Sequence, residues 1–449
     1  MVNSTHSGVN SEIPQYNVSH DDISCAVQQE KQDISSYGGS FYWDRSVKST
    51  VLAAQSWGSL TAILPSSYLL TRFGARRTFV CASAICAITN LVIPFAAYHG
   101  PILLVAVRVI QGMGIELTWP VCVVAVGRWF SSGELGFLTG LVSTGFPIGA
   151  LFAMAMSGFF CATVGWEAVF YLTGTLTAIN AVAWFILYSD DIRLNRFLND
   201  KEQDFILVNR VYQWQPIKRP NFPMKKFFSS GPVWAIIIVH ISNWYITSFI
   251  ADFLPSYFKN VLYLDSSDNG LWAALPFLML LIGRLIAGPL SDVVSRFYSN
   301  TTGVKIFGAI SGFPVAILLV TITSFSCSNT VYAMMMLALA YLCFGFAVGG
   351  FMKSSCLIAP PFSGYLCCIA AGASYVAGIA VPYITEALTP NNTKSQWRNA
   401  FAVTSAIHTI GTLVFVIFGS GEVQPWARSR PDLTLNENKH TEQKIDLLS

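Results

Sequence analysis

Charge is what this chain has least of. Of its 449 residues, 11% are Asp, Glu, Lys or Arg and 53% are hydrophobic, whereas a soluble domain carries about 25% charged residues. So few charges cannot cover a globular surface with solvated groups, which leaves the bilayer as the solvent. The net charge is +3, and no basic tract is interleaved with aromatics, which excludes a nucleic-acid partner. Residues 1–45 are polar and lack the apolar stretch of a signal peptide. The ten cysteines form neither C-x-x-C nor a Cys/His metal spacing, so they read as small apolar residues rather than a redox or zinc site. No G-x-S-x-G, Walker A or H-E-x-x-H motif is present, so nothing points to an enzyme or a bound cofactor. Without a nucleotide site, uphill work has to draw on an ion gradient.

What the chain has in abundance is long apolar runs. A membrane span needs about 20 mostly apolar residues, and eleven segments qualify: near 48–70, 78–98, 101–126, 135–160, 166–188, 232–258, 270–290, 303–325, 330–352, 363–388 and 398–420. The expected fold class is an all-α multi-pass membrane protein of two helical bundles. A polar segment 1–45 precedes a bundle of five spans at 46–188. A central loop 189–231 leads to a bundle of six spans at 232–420, and a tail follows at 421–449. Lys and Arg concentrate in the Arg72–Arg77 turn, at Arg128, in 189–231, between Arg296 and Lys305, and at Lys353. That face is expected to be cytoplasmic. Sequons at Asn3, Asn17 and Asn391 then fall on the glycosylation-competent side. Prolines and glycines inside the spans are tolerated where neighbouring helices or water satisfy the freed backbone. The Gly140, Gly145 and Gly149 series has the small-residue spacing of a helix-packing or sliding interface.

A short basic turn occurs twice. The first copy runs through Arg72, Gly74, Arg76 and Arg77, and the second through Gly288, Asp292 and Arg296. They stand roughly 220 residues apart, one in each half, as expected of parallel repeats. Contacts made and broken at such turns would gate the cytoplasmic face; anchoring by the positive-inside rule is the plainer reading of Arg76 and Arg77. The first copy follows one apolar segment of its half and the second follows two.

The turn R-F-G-A-R-R resembles the signature turn of the major facilitator superfamily. More narrowly, the chain resembles the anion–cation symporter family, which takes in sialin, the vesicular glutamate transporters and the type I sodium–phosphate cotransporters. The stretches that carry this are Arg108-x-x-Gln111-Gly112-x-Gly114 with Thr118-Trp119-Pro120 and Arg128-Trp129. They continue through Leu254-Pro255-x-Tyr257, Ile358-Ala359-Pro360, Leu388-Thr389-Pro390-Asn391 and Gly421-Glu422-Val423-Gln424-Pro425-Trp426. The resemblance implies a major facilitator fold of six plus six helices, of which five plus six are present. Residues 1–45 resemble the glycosylated loop that follows the family's first helix. It implies secondary transport of a small anionic substrate by alternating access, driven by protons, sodium or voltage. The membrane would be the plasma membrane or that of a lysosome or secretory vesicle. The alternative is a transport-inactive or truncated membrane protein that acts through binding or assembly.

Ionisable and polar groups inside spans are the candidate pathway residues. These are Arg108, Gln111, Glu116 and Trp119 on the third span, His240, Asn243 and Tyr245 on the sixth, and Arg284 before the second turn. Arg108 and Arg284 are candidate anion-attracting cations, with Asp252 as a partner for either. The family places an acid seven residues after the Arg; here Ile115 stands there and Glu116 follows. Seven helical steps return to within about 20° of the starting face and eight land about 80° away, so Glu116 is expected to sit off the face of Arg108. Val123 holds the place of a family His, and no Arg stands where vesicular glutamate transporters carry one on the sixth span.

Overall fold

The computed structural model describes residues 41, 43–129, 141–209, 223–264, 266–325 and 329–427. Asn3, Asn17 and Gly140 lie outside the described residues. Among the described residues the principal α-helices are, in order, α1 Arg45–His99, α2 Pro101–Trp129, α3 Gly145–Thr163, α4 Glu167–Leu187, α5 Asp200–Asn209, α6 Met224–Phe228, α7 Gly231–Val261, α8 Ser266–Phe297, α9 Asn300–Ile322, α10 Thr330–Phe344, α11 Phe351–Leu357, α12 Ser363–Leu388 and α13 Lys394–Phe418. Helical membrane spans keep every backbone group paired within the segment, which lipid demands.

Two of the expected spans are limbs of one helix. α1 runs for 55 residues and bends at Gly74, whose φ of 80° and ψ of 169° are non-helical. Only glycine adopts such a φ without a Cβ penalty, so Gly74 makes the first basic turn a sharp corner rather than a loop. Among the described residues, ten segments are long and apolar enough to cross a membrane. The limb before Gly74 is helical but is not among them. Lys48, Gln55, Ser56, Ser59, Thr61 and Ser66 dilute its apolar character, and their placement explains why. Lys48, Gln55, Ser59 and Ser66 are spaced 7, 11 and 18 residues from Lys48, which brings them within about 20° of one face.

The ninth segment differs from its expected bounds of 330–352. α10 passes through a 3-10 turn at Gly345–Val348 into α11, so the span reaches Leu357. α13 starts at a capping box, with Thr393 accepting from the Gln396 N–H and Gln396 reaching back.

Exposure is inverted relative to a soluble protein. Phe152, Phe159, Ile179, Val182, Phe185 and Leu187 on α3 and α4 are all exposed, as a lipid-facing surface requires. The largest apolar core lies in the second half around α7, where Phe249, Phe253 and Tyr257 pack against Trp397 and Phe401 of α13.

Close helix approach uses small residues, as it does in membrane bundles. A Cβ on Gly58 would overlap the Val109 carbonyl, and one on Gly112 would overlap that of Gln55, which locks the first limb of α1 to α2. On α3 the packing glycine is Gly158, set against Gly270 of α8. Gly145 and Gly149 have no described atom within 4 Å of an added Cβ, so these two members of the series make no close helix contact among the described residues. Gly149 and Gly158 are nine residues apart, about 180° around a helix. The α8 contact therefore turns Gly149 away.

Candidate functional site

Two seams join the halves. In the first, the limb of α1 before Gly74 lies along α12. Lys48 Nζ meets Glu386 Oε1 at 2.6 Å and sits 5.9 Å from the Phe253 ring. Tyr383 OH bonds Thr50 Oγ1 at 3.3 Å. Ser56 and Trp244 close on Gly378, where a side chain would collide with both. Tyr375 OH donates to Glu116 Oε2, a short bond from α12 to α2, and the Tyr375 ring stands edge-on to Trp244 at 5.5 Å. The seam is thus a ladder of polar rungs between Lys48 and Ser59 on one side and Tyr375 and Glu386 on the other.

The second seam pairs α3 with α8. Beyond the Gly158–Gly270 contact, Arg284 Nη1 donates to the Ser143 carbonyl at 2.9 Å, with the guanidinium 5.8 Å from the Phe146 ring. An arginine mid-helix in a membrane is costly unless paired or facing a cavity. Here it is satisfied by a backbone carbonyl of the other half.

Arg108 belongs to neither seam. Its Nη1 donates to Gln55 Oε1 at 3.4 Å, while its buried Nε has no hydrogen-bond partner among the described residues. Asp252 on α7 makes no ion pair with Arg108 or Arg284 among the described residues, and of the two arginines it is Arg108 that its charge reaches. Glu116 is buried and Ile115, in the family's acid position, is 39% exposed. Glu116 therefore serves α12, and the hydrogen-bond partner of Arg108 is the Gln55 amide.

The other expected pathway residues scatter. Gln111 is a strut within its own half, donating from Nε2 to Asn90 Oδ1 at 3.0 Å. Trp119 is 58% exposed and, 11 residues after Arg108 on α2, shares the helix face of that arginine to within about 20°. His240 packs edge-on to Phe351 of α11 at 4.7 Å. Asn243 donates to the Val239 carbonyl one turn back, and Tyr245 is buried in the apolar core.

Each basic turn is held within its own half. At the first, Asp190 accepts from the Ala75 N–H at 2.8 Å and the Arg76 N–H at 3.2 Å, capping the helix that restarts after Gly74. Arg76 donates to the Phe185 carbonyl and stacks 4.6 Å over its ring. At the second, Asp292 meets Lys353 at 3.0 Å, and that ammonium also bonds Ser291 and Ser295. Arg72, Arg77 and Arg296 are exposed. Asn391 is likewise exposed, in the turn between α12 and α13.

Sequence reasoning missed the rungs, and a signal was present. Tyr375, Pro382 and Glu386 lie 7 and 11 residues along α12, within about 20° of one face, the same spacing that aligns Lys48, Gln55 and Ser59 on α1.

Comparison with known proteins agrees with this geometry. A family model described as Major Facilitator Superfamily matches residues 32–364. Sialin of Ovis aries is 30% identical over 401 residues, covering 87% of this chain and 79% of that protein. Sodium-dependent phosphate transport protein 3 of Mus musculus is 26% identical, covering 89% and 84%. Among solved structures, the inward open conformation of the xylose transporter XylE from E. coli superposes with a TM-score of 0.61 at 13% identity, covering 93% of this chain and 95% of that one.

Proposed function

We propose, for a chain that belongs to the major facilitator superfamily and within it to the anion–cation symporter family, secondary active transport of a small organic or inorganic anion by alternating access. The chain is a multi-pass membrane protein, and its relatives are transporters rather than enzymes. The observation that carries the anionic substrate is Arg108. It is a half-buried cation whose buried Nε has no partner among the described residues, with a neighbouring amide at Gln55. A carboxylate or phosphate arriving there would accept from the guanidinium, which presents a planar fork of donors. Sialin and a sodium-dependent phosphate transporter among the relatives support the same class.

Protons or sodium are the proposed coupling ions, with membrane voltage as the further driving force. Glu116 and Asp252 are the acids placed to respond, since each contacts or senses a group across the interface between halves. The polar rungs of the α1–α12 seam would be made in one state and broken in the other. The basic turns, each held by an acid of its own half, would move as rigid corners.

The experiment is uptake into liposomes carrying the purified protein, with imposed proton, sodium or voltage gradients. Gradient-dependent accumulation of at least one of phosphate, urate, sialate, glutamate or aspartate is expected. Flat uptake across that panel under every gradient contradicts the reading.

A further inference from the structure

Most ionisable groups inside the spans are paired. Lys48 meets Glu386 at 2.6 Å, Lys353 meets Asp292 at 3.0 Å, Glu116 accepts from Tyr375, and Arg284 donates to the Ser143 carbonyl. Arg108 and Asp252 differ. They stand on opposite halves, on α2 and α7, both half-buried, and the charge of each reaches the other. No ion pair joins them among the described residues. Arg108 keeps a buried Nε without a partner, and no hydrogen bond reaches the Asp252 carboxylate among the described residues. A charge taken out of water is costly unless it is paired and hydrogen-bonded. Two opposite charges that sense each other without meeting therefore make a site for a ligand that supplies both partners.

The exposure pattern of α7 turns Asp252 to that site. The pairs Phe249–Ile250, Phe253–Leu254 and Tyr257–Phe258 are buried in the second half. The pairs 247–248, 251–252 and 255–256 are half-buried, as on a helix with one open face. Trp244 stands one turn before Ser248 on that face and closes with Ser56 of α1 on Gly378, so the face meets the first half. Ser248 and Ser256 lie one turn to either side of Asp252. Their hydroxyls make no hydrogen bond among the described residues, whereas Ser242 and Thr247 of the same helix bond back to the Val239 and Asn243 carbonyls. In the first half, Gln55 Oε1 accepts from Arg108, and the Gln55 Nε2 makes no hydrogen bond among the described residues. One half thus offers donors to an anion, and the other offers acceptors to a cation.

We propose that Asp252 is the specificity-determining residue of the Arg108 site, and that the organic anion taken there is an amino carboxylate. Its carboxylate pairs with Arg108 and its ammonium with Asp252. The inference rests on the anion reading of Arg108 and narrows it. An ammonium has three donors, which the Asp252 carboxylate and the Ser248 hydroxyl accept. A phosphate or a plain carboxylate also engages Arg108, but it sets a second negative charge before Asp252. That repulsion is what rejects it. This use of Asp252 leaves Glu116 as the acid for the coupling ion.

The test is calorimetric titration of the purified full-length protein in neutral detergent at neutral pH, with aspartate, succinate or inorganic phosphate and no gradient. Succinate is aspartate without the ammonium and carries the greater negative charge, so a site that reads anionic charge alone prefers it. Aspartate is expected to bind about tenfold tighter than succinate or more, as one hydrogen bond between charged groups provides. Asp252→Asn should erase that ratio, by weakening aspartate and tightening succinate. Ser248→Ala should weaken aspartate to a smaller degree and leave succinate unchanged. Should Asp252→Asn fail to fold, the wild-type ratio still decides. Succinate binding as tightly as aspartate, an unchanged ratio in Asp252→Asn, or binding of phosphate alone overturns the proposal and leaves an anion site at Arg108. No binding of any of the three overturns the anion reading with it.

Discussion

The two seams between the halves are built from different chemistry. Along α1 and α12 the contacts are side chain to side chain: Lys48 with Glu386, Thr50 with Tyr383, Glu116 with Tyr375. Along α3 and α8 they are a glycine pair and one arginine on a backbone carbonyl. Hydrogen bonds between membrane helices average about 0.6 kcal/mol and reach about 1.7, and a partly exposed ion pair contributes about 0–1 kcal/mol. With two hydrogen bonds and one ion pair, the whole ladder is therefore worth about 1–4 kcal/mol. Reversing a two-state equilibrium from 1:99 to 99:1 takes about 5.5 kcal/mol of differential binding. The ladder alone falls short of that, so an anion or coupling ion with modest preference for one state can open it. The glycine seam has no such graded strength: it either fits or collides. It suits a pivot, and the ladder suits a gate.

The largest departure is expected from Arg108→Gln, which touches neither seam. Removing the cation takes away both the charge that Asp252 senses and the fork of donors that an anion would meet. Anion uptake should vanish, and Arg108→Lys should restore little of it because the planar fork is gone. Wild-type uptake by Arg108→Gln would remove the anion site from this arginine. Next in size is the pivot. Gly270→Leu forces a side chain onto the Gly158 backbone, and overpacking costs about 1–3 kcal/mol. Uptake and melting temperature should both fall, while Gly149→Ala, on the open face of α3, should change neither. Comparable losses in the two variants would erase the contrast between the faces.

Smaller effects belong to the gate. Tyr375→Phe removes one rung and should shift the balance of states by about 1 kcal/mol, read as a severalfold change in labelling of a thiol introduced at the cation-poor end. The protein should fold as before. Smallest is the pair at the end of the ladder. Lys48→Glu and Glu386→Lys should each impair uptake mildly, and the double reversal should recover it with a coupling of about 0.5–1 kcal/mol. Additive losses in that cycle would mean that the 2.6 Å contact carries no gating energy.

These seams were unequally legible from the sequence. The basic turn at Arg72–Arg77 could be read directly, because its charge, its glycine and its place between apolar runs are local. Its cap was not, since Asp190 lies 115 residues from Ala75 and no short-range pattern joins them. The Glu116–Tyr375 rung spans 259 residues and was equally invisible, although the displaced acid at Glu116 already pointed away from Arg108. The exposure of Trp119 could not be read from its motif, because a helix apolar all round does not announce which side is covered. Lys48, Gln55 and Ser59, by contrast, were legible as a stripe, and so were Tyr375 and Glu386. They were passed over because neither set forms a recognisable motif, only a shared helical face.

Cross-linking the ladder tests the central claim most directly. Thr50→Cys with Tyr383→Cys replaces the 3.3 Å hydroxyl contact by two thiols. The lost tyrosine ring leaves them too far apart for a direct disulfide, but a bifunctional thiol reagent with a cleavable disulfide spacer can join them across the gate. The account predicts that cross-linking stops gradient-driven anion uptake in liposomes and that reduction restores it, while the reagent leaves the uptake of each single variant unchanged. Full uptake by the cross-linked protein would contradict it.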